Sequence, residues 1–93
     1  MKIQDCSLEY LYRIYLMSSY LYYKEDKTKI SDEMYDYICN VLHKHYNDFE
    51  SEHKHLVSES DLAAGTGYAL VYPNRVKWAA LAWYADKEFT LEM

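Results

Sequence analysis

The sequence predicts an all-α fold: a small helical domain built on an antiparallel helical hairpin, with a C-terminal helix packed on it. Three observations lead there. Two glycines and one proline in 93 residues are too little turn material for a β-sandwich. Apolar side chains recur at spacings of three and four over two long runs that no glycine or proline interrupts. The polar stretch between those runs, Lys24 to Lys29, has the ~2–8 residues of a typical helix–helix connection.

The first helix is expected from Ser7 through Tyr23, with Leu8, Leu11, Tyr12, Tyr15, Leu16, Ser19 and Tyr22 on one continuous face. Asp5 or Ser7 can accept from its first free N–H groups. Lys24 to Lys29 then reads as a solvated turn. The second helix opens at Ser31, a good N-cap, and Asp32 and Glu33 offset the positive end of its dipole. Met34, Ile38, Val41, Leu42, His45 and Phe49 form its apolar stripe, which fades over Asn47 to Ser51. Two long amphipathic helices on a short connection make an antiparallel hairpin.

From Glu52 to Tyr72 the pattern is weaker. Leu56 and Val57 can anchor a turn, and Ser60 can cap a short helix through Leu62, Ala63 and Ala64 that Gly65 ends. Gly65-Thr66-Gly67 reads as a flexible corner. Tyr68 to Tyr72 reads as extended, because Pro73 biases Tyr72 that way. The last helix begins near Asn74. Val76, Ala79, Ala80 and Trp83 share one face, with Trp78, Leu81, Ala82 and Ala85 on the adjacent one. So broad an apolar surface is expected to pack on the hairpin, with a remainder left for a partner.

Composition limits function. A chain of 93 residues is one domain, 1–93, and tyrosine is its oddity, with twelve copies. The mean hydropathy of -0.47 fits a soluble chain, without the ~18 apolar residues of a membrane span or a secretion-type leader. The net charge of -5 argues against direct nucleic-acid binding, which needs clustered Lys and Arg against phosphates. Cys6 and Cys39 are the only thiols. In the hairpin register Cys39 falls opposite about Tyr15, some ~13 Å along the helix from Cys6. A disulfide needs Cα atoms within ~7 Å, so reduced thiols in a cytoplasmic setting are expected.

Several constellations carry chemistry. His43-Lys44-His45 and His53-Lys54-His55 invite a metal reading, but two such histidines on a helix point ~200° apart. A tetrahedral ion would need ligands from both units, so a solvated basic–aromatic surface is favoured and no metal is expected. Asp48, Glu50, Glu52, Glu59 and Asp61 can mimic a phosphate backbone, although Lys54 interrupts the run and such runs are mostly solvated faces. The hairpin end is more informative. Tyr22 and Tyr23 close the first helix, while Asp32 and Asp36 are an i, i+4 pair with Tyr35 on the same side. Aromatic faces beside two carboxylates can stack on a flat cationic ring and bond ribose hydroxyls. Equally, Asp32 can serve only the helix dipole and the tyrosines only seal the hairpin.

The stretch Tyr22-Tyr23-Lys24-Glu25-Asp26-Lys27-Thr28-Lys29-Ile30-Ser31-Asp32-Glu33-Met34-Tyr35-Asp36 resembles the N-terminal Ia domain of bacterial NAD-dependent DNA ligases. That family's pattern is Tyr-(His or Tyr)-x-x-Asp-x-Pro-x-Ile-(Ser or Pro)-Asp-x-x-Tyr-Asp, matched here without a gap. Weaker similarity runs from about Ser7 to Phe49, with residues 50–93 as an extension lacking ligase correspondence. In the ligases this helical module closes over the nicotinamide mononucleotide (NMN) half of NAD. The resemblance implies that Tyr22 and Tyr23 are the ring-stacking positions. It also implies that Asp32, Tyr35 and Asp36 contact the amide, ribose or phosphate. Thr28 departs from the usual proline, which would loosen the turn without touching those contacts.

The resemblance does not extend to an enzyme. Ligases carry a nucleophilic lysine in Lys-x-Asp-Gly, and the only glycines here, Gly65 and Gly67, do not follow that motif. A non-catalytic module binding NMN or NAD through half a site is the expectation. Small stand-alone proteins similar to this segment occur in bacteriophage genomes, which implies an accessory protein in a bacterial host cytoplasm. The alternative is a protein-interaction module that inhibits a host defence or DNA-processing complex without nucleotide. Tyr and Trp are enriched at interface hot spots, so its partner would be a bacterial or phage protein. Self-association through the same aromatic faces stays open.

Overall fold

The computed structural model describes residues 1–50 and 72–93. The described residues form three helices: α1 (Leu8–Lys24), α2 (Asp32–Lys44) and α3 (Asn74–Ala85). Single 3-10 turns at Ile3–Asp5 and Tyr46–Asp48 flank the α1–α2 pair. The domain is all-α, with α1 packed against both α2 and α3. The short helix and glycine corner expected between 52 and 71 lie outside the described residues, as does the second His-Lys-His unit.

Each helix starts where its capping chemistry dictates. Ser7 Oγ accepts from the Tyr10 N–H at 3.1 Å. Ser31 Oγ accepts from the Met34 N–H at 3.2 Å, with Asp32 and Glu33 in the first turn. In both, a side-chain oxygen satisfies one of the N–H groups that a helix start leaves unpaired. Pro73 is extended (φ -63, ψ 155) and its carbonyl accepts from Val76 and Lys77 to open α3.

The hairpin is antiparallel, in the expected register. Ser19 and Tyr15 near the middle of α1 meet Tyr35 in the first turn of α2, while Tyr12 meets Phe49 beyond the far end of α2. The stripe of α2 is thinner than expected: Ile38 and Leu42 are buried, joined by Cys39, while Met34 and Val41 are half-buried. The helix ends at Lys44, so Phe49 reaches the core through the second 3-10 turn, and His45 caps the helix with Nδ1 2.8 Å from Asp48 Oδ2.

Helix α1 departs most from the single apolar face expected of it. Leu11, Tyr12 and every residue from Ile14 to Leu21 are buried. The reason is its central place: α2 covers one side and α3 the other, so Ile14, Met17, Ser18, Tyr20 and Leu21 are covered although they lie off the stripe. Tyr22, placed on that stripe, is 54% exposed instead. On α3, Val76, Ala80 and Trp83 are buried and Ala79 is exposed. Trp78 (71% exposed) and Leu81 remain uncovered on the adjacent face.

The chain ends meet. Ile3 N–H donates to Glu92 O at 2.7 Å and Glu92 N–H to Met1 O at 2.9 Å, which pins the fully buried Ile3 under the domain. Both cysteines are free thiols. Among the described residues, no helix is long and apolar enough to cross a membrane.

Candidate functional site

A cleft of about 300 Å³ opens at the hairpin end, lined by Ser18, Tyr22, Tyr23, Thr28, Lys29, Ile30, Asp32, Tyr35 and Asp36. All five residues singled out in the sequence, Tyr22, Tyr23, Asp32, Tyr35 and Asp36, therefore face one space. The fold explains why. The last turn of α1 supplies the two tyrosines, the first turns of α2 supply Asp32, Tyr35 and Asp36, and the antiparallel register sets these segments side by side.

The aromatic wall is a corner. The Tyr22 and Tyr23 rings lie 4.8 Å apart at 84°, so a flat ring lying on one of them meets the other at right angles. Tyr22 is the more exposed of the two, which leaves its ring accessible at the rim. Tyr35 forms the floor. Its ring stacks on Tyr15 at 5.6 Å and 28°, and its hydroxyl lies 2.6 Å from Ser19 Oγ. Burial pushes the Tyr35 phenol well above the ordinary tyrosine range, with the Ser19 hydrogen bond offsetting part of the rise. The same serine offsets part of the burial-driven rise at Tyr72. Beneath them the Cys39 thiol is pushed up to about 12, chiefly by burial and further by Asp36, against a hydrogen bond from Tyr35 that lowers it. A thiol so protonated is a packing group rather than a nucleophile.

The carboxylates are in a different state. Asp32 and Asp36 are exposed at the cleft, and neither side chain has an ion-pair or hydrogen-bond partner among the described residues. The one base in the lining, Lys29, is engaged elsewhere. Its Nζ donates to the carbonyls of Asp86 (2.6 Å) and Tyr84 (3.3 Å) at the end of α3 and lies 5.8 Å from the Phe89 ring centroid.

Two expectations about the turn are corrected here. It is not simply solvated: Lys29 is tied to α3, Lys27 lies over the Tyr84 ring at 5.2 Å, and the Lys27 N–H returns to Leu21 O at 2.9 Å. Asp26 makes that return possible by taking a left-handed φ of 55, which a short polar side chain tolerates. Thr28, expected to lie clear of the contacts, is part of the cleft lining.

Sequence reasoning missed Ser18. It lies four residues before Tyr22 and so on the same side of α1, and a serine inside an apolar run was a usable signal. Ser18 is only 6% exposed, and its Oγ has no hydrogen-bond partner among the described residues. Among those residues, no group of three or more His, Cys, Asp and Glu side chains could hold a metal ion. No family model, curated protein or solved structure matches the chain.

Proposed function

We propose that this protein is a non-catalytic module of the DNA ligase Ia type that binds nicotinamide nucleotide, NMN or NAD, in the cleft at the hairpin end. One observation carries the reading: Tyr22, Tyr23, Asp32, Tyr35 and Asp36 line a common open cleft whose two carboxylates have no partner among the described residues. In this reading a tyrosine face of the Tyr22–Tyr23 corner stacks on the pyridinium, Tyr35 forms the floor, and Asp32 and Asp36 hold the ribose side. The setting would be a bacterial cytoplasm, with the protein as a phage-type accessory factor that performs no ligation itself. The test is a titration of the full chain with NMN, NAD and adenosine nucleotides, followed by amide chemical shifts. Shifts confined to the hairpin end and lost in Asp36→Ala support the reading; no response at millimolar NMN ends it.

A second reading is favoured by a separate observation. Trp78 is 71% exposed, with Leu81 and Tyr84 also open on α3, and these are residue types that anchor protein interfaces. Here the module binds a bacterial or phage protein and inhibits a defence or DNA-processing complex. Retention of a stoichiometric partner by Tyr22→Ala and Asp36→Ala, with loss in Trp78→Ala, would place function on α3.

A further inference from the structure

We infer that the cleft takes its ligand at the level of the nucleoside: a pyridinium cation with its carboxamide and ribose hydroxyls, and no seat for the 5′-phosphate. The inference rests on the nicotinamide reading above and narrows it.

Charge is the first argument. The charged groups facing the cleft with no partner among the described residues are the carboxylates of Asp32 and Asp36, which favour a cation and accept from hydroxyls. Lys29 is the only base in the lining, and its ammonium is drawn to the Asp86 and Tyr84 carbonyls. A phosphate would have to take Lys29 from these carbonyls and settle beside two like charges. The start of α2 offers no substitute. Helix N-termini bind anions through unpaired N–H groups and the dipole. Here Ser31 Oγ already holds the Met34 N–H, and Asp32 and Glu33 place negative charge in the first turn.

Ser18 is the second, independent argument. Its hydroxyl is buried at the cleft with no partner among the described residues, a state that native structures rarely leave unfilled. A carboxamide both donates and accepts, so it can satisfy that hydroxyl whichever way the proton points. Size agrees. About 300 Å³ lies at the lower end of the ~300–1,000 Å³ typical of small-molecule sites, enough for a nucleoside and too little to enclose a dinucleotide.

The test compares nicotinamide riboside with NMN on the full chain by calorimetric titration. At ~0.01 M salt the riboside is expected to bind roughly three- to tenfold more tightly, the scale of like-charge repulsion across a solvated cleft. The gap should narrow at 0.15 M salt, as the screening length falls from ~30 Å to ~8 Å. Ser18→Ala should weaken both ligands by a similar factor, about tenfold for one lost hydrogen bond. At ~0.15 M salt Lys29→Met should change the ratio of the two affinities by less than about threefold, the effect of a screened charge that makes no contact with the phosphate. NMN binding as tightly as the riboside, or a larger loss in Lys29→Met confined to NMN at ~0.15 M salt, overturns the inference while the nicotinamide reading stands. Binding of neither ligand removes both.

Discussion

Ser18 and Ser19 are neighbours on α1, yet their hydroxyls are treated in opposite ways. Ser19 Oγ lies 2.6 Å from the Tyr35 hydroxyl, tying α1 to α2 below the cleft, whereas Ser18 Oγ is buried without a partner among the described residues. Burying a hydroxyl unpaired costs folding free energy that a ligand can return on binding. Ser18→Ala should therefore raise the stability of the free protein by ~1 kcal/mol while weakening the ligand. Thermal denaturation with and without nicotinamide riboside checks both parts. Tyr35→Phe does the reverse. It deletes one side of a made hydrogen bond, and urea denaturation should show a loss of about 1 kcal/mol.

At the scale of elements, the turn between α1 and α2 is the part that ties the site to the rest of the fold. Lys29 contributes to the cleft lining and also closes the C-terminal end of α3 by donating to two of its carbonyls. A cation at a helix C-terminus complements both the dipole and the unpaired carbonyls there. Lys29→Met should speed amide hydrogen exchange through the last turn of α3, Trp83 to Asp86, before it affects α1. Ser31 has the corresponding role at the opposite polarity. Ser31→Ala should lower stability by ~1 kcal/mol through the lost cap. Because Asp32 and Asp36 ride on that turn, it should also weaken binding in the nicotinamide titration.

For the molecule as a whole, the buried acids set the alkaline limit. Burial holds the thiol of Cys39 and the phenols of Tyr12, Tyr35 and Tyr72 above their ordinary values of 9.0 and 10.0. The unfolded chain then releases its protons at lower pH than the folded one, so above those values it binds fewer protons and stability falls as pH rises. The contribution is complete below about pH 9, begins to fade with Cys39 and fades faster past pH 10 as the phenols join. Melting temperatures across pH 7–11 should show that two-stage decline. Cys39→Ala should shrink the first stage of that decline and leave the second, which the phenols carry, in place.

The all-α class, the positions of all three described helices and the hairpin register were legible in the sequence. They depend on local features: serine caps at 7 and 31, three-and-four spacing, and a short polar link. That Tyr22, Tyr23, Asp32, Tyr35 and Asp36 come together at one end of the hairpin was legible for the same reason. Residues at the end of one helix and the start of the next must meet once the hairpin closes. What only the tertiary structure decided depends on α3, which approaches from far along the chain. Its arrival buries the second side of α1 and engages the Lys29 ammonium at its own C-terminal end. Asp32 and Asp36 have no partner among the described residues, and Ser18 is buried at the cleft beside them. No spacing rule within the hairpin encodes that the Lys29 cation is spent at the end of α3, because its two bonds join residues more than fifty positions apart.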